Sequence, residues 1–417
     1  MTDPRTVQSR LAHVMNRLGG RMRPHIRLDT EYLLERARRQ TGLADFGDPR
    51  FEIALGVLVN SWETEAGFNL TGRLLAQREL LRCLTNRLQI EEYFRRNPET
   101  ARTPVPDPVI IAAPPRTGTT LLHRLLAADS SNRTLRVWEL ASPVPRGYSH
   151  PRDDDPRPAA VARGLAVHRA LLLSAAGRKI LRATHSSDAG DPEECIRLLN
   201  NSLMCEAFGL GARADRYMLW LRTQDWTPSF RYHRKQIQIL TAARNARRLI
   251  LKHPGYLGYL DDLLQVYPDA RVLWLHRDPV EMVASCCNLC AVTRAIRTDS
   301  VDLKHIGLSV VNSTLWRIER GVRARERQAP DRFLDVRYPD LVRNPMATVA
   351  RIYGWLGFPL TAEVEEEFGA YLQRNQRERS RYRHNYTLET FGLDAANLRP
   401  KFRDYCERFQ IGFAGAE

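Results

Sequence analysis

Pro108-Val-Ile-Ile-Ala-Ala-Pro-Pro-Arg-Thr-Gly-Thr-Thr-Leu-Leu-His-Arg-Leu-Leu-Ala127 reads as a buried β-strand, a tight basic turn and a helix, in that order. Val109, Ile110 and Ile111 form the short apolar run of a strand covered on both faces. Pro114, Pro115 and Gly118 interrupt it. Leu121, Leu122, Leu125 and Leu126 then recur at helical spacing. The turn therefore ends at a helix N-terminus, where unpaired backbone N–H groups and the positive end of the dipole attract an anion. Arg116 adds a fixed charge, and Thr117, Thr119 and Thr120 add hydroxyl donors. A phosphate or sulfate group suits this turn.

A nucleotide-triphosphate P-loop reads G-x-x-x-x-G-K-[ST], and this loop lacks that pattern's main charge and first glycine. Aligned on Gly118, Ala113 stands at the first glycine and Thr119 at the lysine. The positive charge has moved into the turn as Arg116.

Working outward, 417 residues are enough for a large core and one or two domains. Composition is that of a globular protein, and no apolar run reaches membrane-span length. The N-terminus MTDPRTVQSR lacks the apolar stretch of a secretory signal, so a cytoplasmic location is expected. The formal charge of +15 suits anionic ligands, anionic lipids or nucleic acid. That charge is spread along the chain, and neither zinc-finger spacing nor an RNP-type aromatic motif accompanies it, so no nucleic-acid partner is expected. Cys286, Cys287 and Cys290 have no partner cluster at zinc-site spacing; the seven cysteines read as buried free thiols, and no metal site is expected.

Residues 1–104 read as an N-terminal helical region, closed by the Pro-rich connector Thr103-Pro-Val-Pro-Asp-Pro108. From 105 to 417 strands alternate with helices, the pattern of an α/β fold with a parallel sheet flanked by helices. Strands are expected over 108–113, 134–138, 248–252, 271–275 and 332–336, and one helix over 158–181. The segment 142–158 reads as a loop, either a lid or an ordinary exposed excursion.

Asp269-Ala-Arg-Val-Leu-Trp-Leu-His-Arg-Asp-Pro-Val-Glu-Met-Val-Ala-Ser285 repeats the strand–turn–helix logic. Pro279 suits a first helical turn, and Arg277 stands at the carboxyl end of a strand, where open α/β sheets bind ligands. Ser285 follows about two helical turns later. Phe333-Leu-Asp-Val-Arg-Tyr-Pro-Asp-Leu-Val-Arg-Asn-Pro345 supplies a third strand with an aromatic at its end, Tyr338.

Together these segments resemble the sulfotransferases, and their bacterial members in particular. The turn Pro115-Arg-Thr-Gly-Thr-Thr120 matches the family's P-[RK]-[ST]-G-[ST]-[ST] loop, which holds the 5′-phosphosulfate of 3′-phosphoadenosine 5′-phosphosulfate (PAPS). Arg277 and Ser285 match the pair that holds the 3′-phosphate, and Tyr338 matches a Tyr near the adenine. The resemblance spans residues 108–345 and implies the P-loop NTPase-like sulfotransferase fold. It implies Arg116, Thr117, Gly118, Thr119, Thr120, Arg277, Ser285 and Tyr338 as cofactor-binding residues, with no metal. The basic segment Arg377-Glu-Arg-Ser-Arg-Tyr-Arg383 either closes over the cofactor, as in relatives, or is a solvated charge run.

The implied reaction moves a sulfuryl group from PAPS to an acceptor hydroxyl or amine of a small molecule, glycan or lipid. Two residues compete as the base. Glu139, in Arg136-Val-Trp-Glu-Leu140, reads as a carboxylate at a strand end beside Trp138. His253 follows Lys252 in Leu251-Lys-His-Pro-Gly-Tyr256. Many bacterial relatives show K-S-P-x-H there, with His253 here at the Ser position and Tyr256 at the His position. Lys252 fits stabilisation of the sulfuryl group, and His185 is a further histidine by position alone. The alternative function is a nucleoside or small-molecule kinase on a related P-loop fold; a nucleotide-responsive binding protein without catalysis is the third.

Overall fold

The computed structural model describes residues 4–20, 25–106, 108–148, 155–184, 188–242, 248–379 and 387–412. Five parallel strands form one sheet in the order β2-β3-β1-β4-β5. They are β1 (Pro108–Ala112), β2 (Asn132–Arg133), β3 (Arg248–Lys252), β4 (Arg271–His276) and β5 (Phe333–Arg337). Every residue of the central strand β1 is buried, because helices cover both faces of the sheet. Register aligns Ile111 with Lys252 on one side and Ala112 with Trp274 on the other. The loop after β1, the end of β3 and the turn after β4 therefore share the carboxyl edge of the sheet.

The helices around this edge start where the sequence supplies caps. Asp278 accepts from the Val280 N–H at 2.8 Å and opens the helix Pro279–Ala295. Asn69 accepts from the Gly72 N–H at 2.8 Å and opens Leu70–Arg96. The N-terminal helices Thr30–Thr41, Arg50–Glu65 and Leu70–Arg96 put Leu33, Leu58, Leu80 and Leu84 into the hydrophobic core shared with the strands. All seven cysteines are buried and unbridged.

Two local expectations are corrected. No strand forms over the expected 134–138; the strand lies just before it at Asn132–Arg133, and Val137–Ala141 is a short helix. The cause is local: the Glu139 carboxylate accepts the Arg136 N–H at 2.9 Å, which starts a helical turn where the apolar alternation suggested a strand. Glu139 is thus on a helix, not at a strand end. The helix expected over 158–181 is two helices, Arg157–Leu172 and Ala175–Thr184. Leu173 between them is extended and bridges to Gln8, so the N-terminus of the chain interrupts the helix.

Candidate functional site

The turn after β1 is built by its own residues. Arg116 takes a left-handed backbone conformation (φ 72°), uncommon for a residue with a Cβ, and Gly118 does the same (φ 90°). The Thr117 hydroxyl is buried and donates to the Pro114 carbonyl at 2.9 Å, closing the turn. Gly118 then caps the helix Thr119–Leu126. A Cβ at Gly118 would stand 2.7 Å from the Tyr338 ring, so the backbone must be bare here for both reasons.

Two separate segments converge on this turn. The Arg116 Nε donates to the Ser285 hydroxyl at 2.9 Å. Arg277 donates to the Arg116 carbonyl at 2.9 Å, and its guanidinium lies 4.2 Å from the centre of the Tyr338 ring. Glu281, one helical turn on, accepts from Arg277 at 2.7 Å and holds it in this orientation. Arg116, Gly118, Arg277, Ser285 and Tyr338 therefore stand side by side. The two guanidiniums share one edge of the sheet.

The other side of the turn carries a cluster of ionisable side chains. Lys252 is fully buried at the end of β3 and donates to the Thr120 hydroxyl at 3.2 Å and to Glu194 at 2.5 Å. The Glu194 side chain retains 16% exposure, so this carboxylate opens toward solvent while touching the buried ammonium. The His253 Nδ1 is 3.7 Å from the second Glu194 oxygen. A Cβ at Gly255 would stand 2.3 Å from the His253 Nε2 and 2.9 Å from a Glu206 oxygen, so a glycine lets these groups approach. Glu206 is bound in turn by Arg317 at 2.8 Å.

Glu139 and Tyr256 have other partners. Glu139 is buried, with one oxygen on Arg133 at 2.5 Å and the other on Arg133 at 3.0 Å and on the Arg136 N–H. Tyr256 is withdrawn into the core, where its hydroxyl meets the His233 Nε2 at 3.0 Å. Burial, then the nearby His253, push His233 down to about 3, so it is neutral. His123, under the turn, is likewise lowered to about 3 by burial and then by Lys252. His185 and the side chains of 377–383 lie outside the described residues.

Residues 108–362 match the profile described as Sulfotransferase family. The chain belongs to the sulfotransferase family. It is 29% identical to sulfotransferase STF1 from Mycobacterium tuberculosis, with a TM-score of 0.77 over 90% of this chain and 98% of that one. It is 30% identical to sulfotransferase STF9 from Mycobacterium avium, with a TM-score of 0.78 over 92% of this chain and 97% of that one. Among curated proteins it is 25% identical, over 268 residues, to omega-hydroxy-beta-dihydromenaquinone-9 sulfotransferase Stf3 of Mycobacterium bovis. That match covers 62% of this chain and 64% of the relative's length. The five-stranded parallel sheet is the sulfotransferase fold that the motifs imply.

In this sulfotransferase-family chain, the residue that sequence reasoning missed is Glu194. It sits in Asp191-Pro-Glu-Glu194, which reads locally as an acidic turn. Its position depends on two distant backbone bonds, Glu193 N–H to the Leu135 carbonyl and Cys195 N–H to the Lys252 carbonyl, both 2.9 Å. A usable signal was the buried Lys252 itself, since a buried ammonium requires a carboxylate partner.

Proposed function

We propose that this protein transfers a sulfuryl group from PAPS to a hydroxyl or amine of a small molecule, glycan or lipid. The observation that carries the reading is the Lys252 bridge between Thr120 of the anion-binding turn and the carboxylate of Glu194. It joins an anion site to a proton acceptor across one side chain. A kinase reading lacks the lysine in the turn and has no use for the Arg116–Ser285–Arg277 cluster.

The residues present fit the donor. The bare backbone at Gly118 and the N-terminal N–H groups of Thr119–Leu126 suit the 5′-phosphosulfate, with Arg116, Thr119 and Thr120 around it, while the Thr117 hydroxyl, expected as a donor to the anion, is turned inward to brace the turn on Pro114. Arg277 and Ser285 suit the 3′-phosphate, and the Tyr338 ring suits the adenine. When bound, the donor supplies an activated sulfuryl group on a 5′-phosphate that can leave. Lys252 holds positive charge where the sulfuryl oxygens gather charge, pre-oriented by Thr120. Glu194 takes the proton from the acceptor oxygen as it attacks sulfur. His253, 3.7 Å from Glu194, positions that carboxylate. Glu139, held on both oxygens by Arg133, supports the fold of the segment beside it. A lipid acceptor gains support from the relative whose name specifies a menaquinone derivative. A cytoplasmic setting belongs to the same proposal.

Thermal unfolding tests the reading. Adenosine 3′,5′-bisphosphate at a hundredfold excess over its Kd should stabilise by about 2.7 kcal/mol. ATP with magnesium should not. The reverse order favours the kinase.

A further inference from the structure

We propose that the helices Arg10–Leu18 and Arg157–Leu172 form a face that docks on an anionic lipid bilayer. The outward residues of the first helix are Arg10, Leu11, Val14, Arg17 and Leu18, one stripe at helical spacing. On the neighbouring helix, Val167 and Leu171 point outward among Ala162, Ala166 and Ala170. Leu11, Val14, Leu18, Val167 and Leu171 are 46–76% exposed. A helix on a water-facing surface carries polar residues at these positions; here they are apolar.

This face is fixed, not a fraying end. Ser9 N–H bonds to the Leu172 carbonyl at 2.9 Å, and Gln8 bridges to Leu173. On the inner side Asn16 donates to Gln8 and accepts from the Thr71 N–H, both at 2.9 Å. Beneath, Val7, Leu173, Ala295 and Ile296 form a small core of their own. Ala295 ends the helix that carries Ser285, about 15 Å along its axis. The face is thus seated on the same helix as the anion cluster.

Charge selects the occupant. The helices Arg10–Leu18, Arg157–Leu172 and Ala175–Thr184 contain no Asp or Glu. Exposed Arg10, Arg17, Arg163, Arg178 and Lys179 lie on the same three helices. Asp188, at the margin, is held by Arg169 at 2.8 Å. A second copy of this face would set cation against cation. A nucleic-acid backbone would match the arginines and leave the leucines without a partner. An anionic bilayer takes both: the leucines enter the acyl boundary, and the guanidiniums reach the headgroups with their stems on apolar surface. The docking does not depend on the transfer reaction.

The test is co-sedimentation of the full chain with phosphatidylcholine vesicles, alone or mixed with phosphatidylglycerol at about two to one. The protein should sediment with the mixed vesicles, and less so at high salt. The triple variant Leu11→Ser/Val14→Ser/Leu18→Ser should bind at least about tenfold more weakly, as should Val167→Ser/Leu171→Ser. Because these side chains are exposed, unfolding midpoints should not move. Three results would overturn the docking face: no binding of the unaltered protein to mixed vesicles, full binding by both serine variants, or equally tight binding to polyglutamate, which indicates an acidic protein partner.

Discussion

Glu139 and Glu194 are both carboxylates in contact with a cation, in different settings. Glu139 is sealed: Arg133 meets both of its oxygens, and the Arg136 N–H takes what remains. Glu194 meets the buried Lys252 with one oxygen and faces His253 with the other, and its side chain keeps contact with solvent. Among the described residues, Arg133 leads on to the Thr134 and Leu240 carbonyls. Lys252 leads to Thr120, in the turn that suits an anion. The two ion pairs differ in what the cation touches next: backbone carbonyls for Arg133, the turn for Lys252.

The comparison can be broken most directly at Glu194. Glu194→Gln should lower kcat by about 10²–10⁴-fold while leaving bisphosphate binding intact, read by single-turnover sulfate transfer and by calorimetry. Glu139→Gln should instead strand the buried Arg133 and cost about 3–5 kcal/mol of stability, read by urea unfolding, with turnover per folded molecule unchanged. A stable, inactive Glu139→Gln beside an active Glu194→Gln reverses the assignment.

Smaller effects sharpen it. Arg277→Ala removes a charge-assisted contact and should weaken bisphosphate binding by about 10–100-fold without altering the Lys252–Glu194 side. The buried histidines give the mildest signal. His123 and His233 are held at about 3 in the fold against an ordinary 6.5. Between those values the unfolded chain takes up protons that the folded chain refuses. Their stabilisation is therefore complete above pH 6.5 and declines as pH falls toward about 3. Each should contribute a slope of about 1.4 kcal/mol per pH unit inside that window. His123→Gln should flatten the measured dependence of unfolding free energy on pH by one such increment.

Legibility followed the same division. The anion cluster was readable because each member lies in a local motif: Arg116 and Gly118 in a strand–turn–helix, Arg277 and Ser285 in another, Tyr338 at the end of a third strand. Short strands with a common direction then bring their carboxyl ends together. Glu194 has no such frame. It is carried to Lys252 by backbone bonds to Leu135 and from Cys195, partners that no local pattern announces. Val137–Ala141 was misread for the opposite reason, since a single side-chain cap outweighed apolar alternation. The outward leucines of Arg10–Leu18 followed a helical period, but which face of that helix meets solvent depended on Gln8, Ser9 and Asn16 finding partners far along the chain.

Period, punctuation and motif spacing in the chain were sufficient for the parallel α/β architecture, the strand–turn–helix at 108–126 and the family. These rest on interactions within a few residues, whose energetics local sequence sets. Long-range contacts determined which carboxylate faces the turn and which apolar stripe stays uncovered. Both outcomes turn on the desolvation of charges and side chains by segments far along the chain, 58 residues apart for Lys252 and Glu194 and 162 for Ser9 and Leu171, a cost that exists only once the chain has closed on itself.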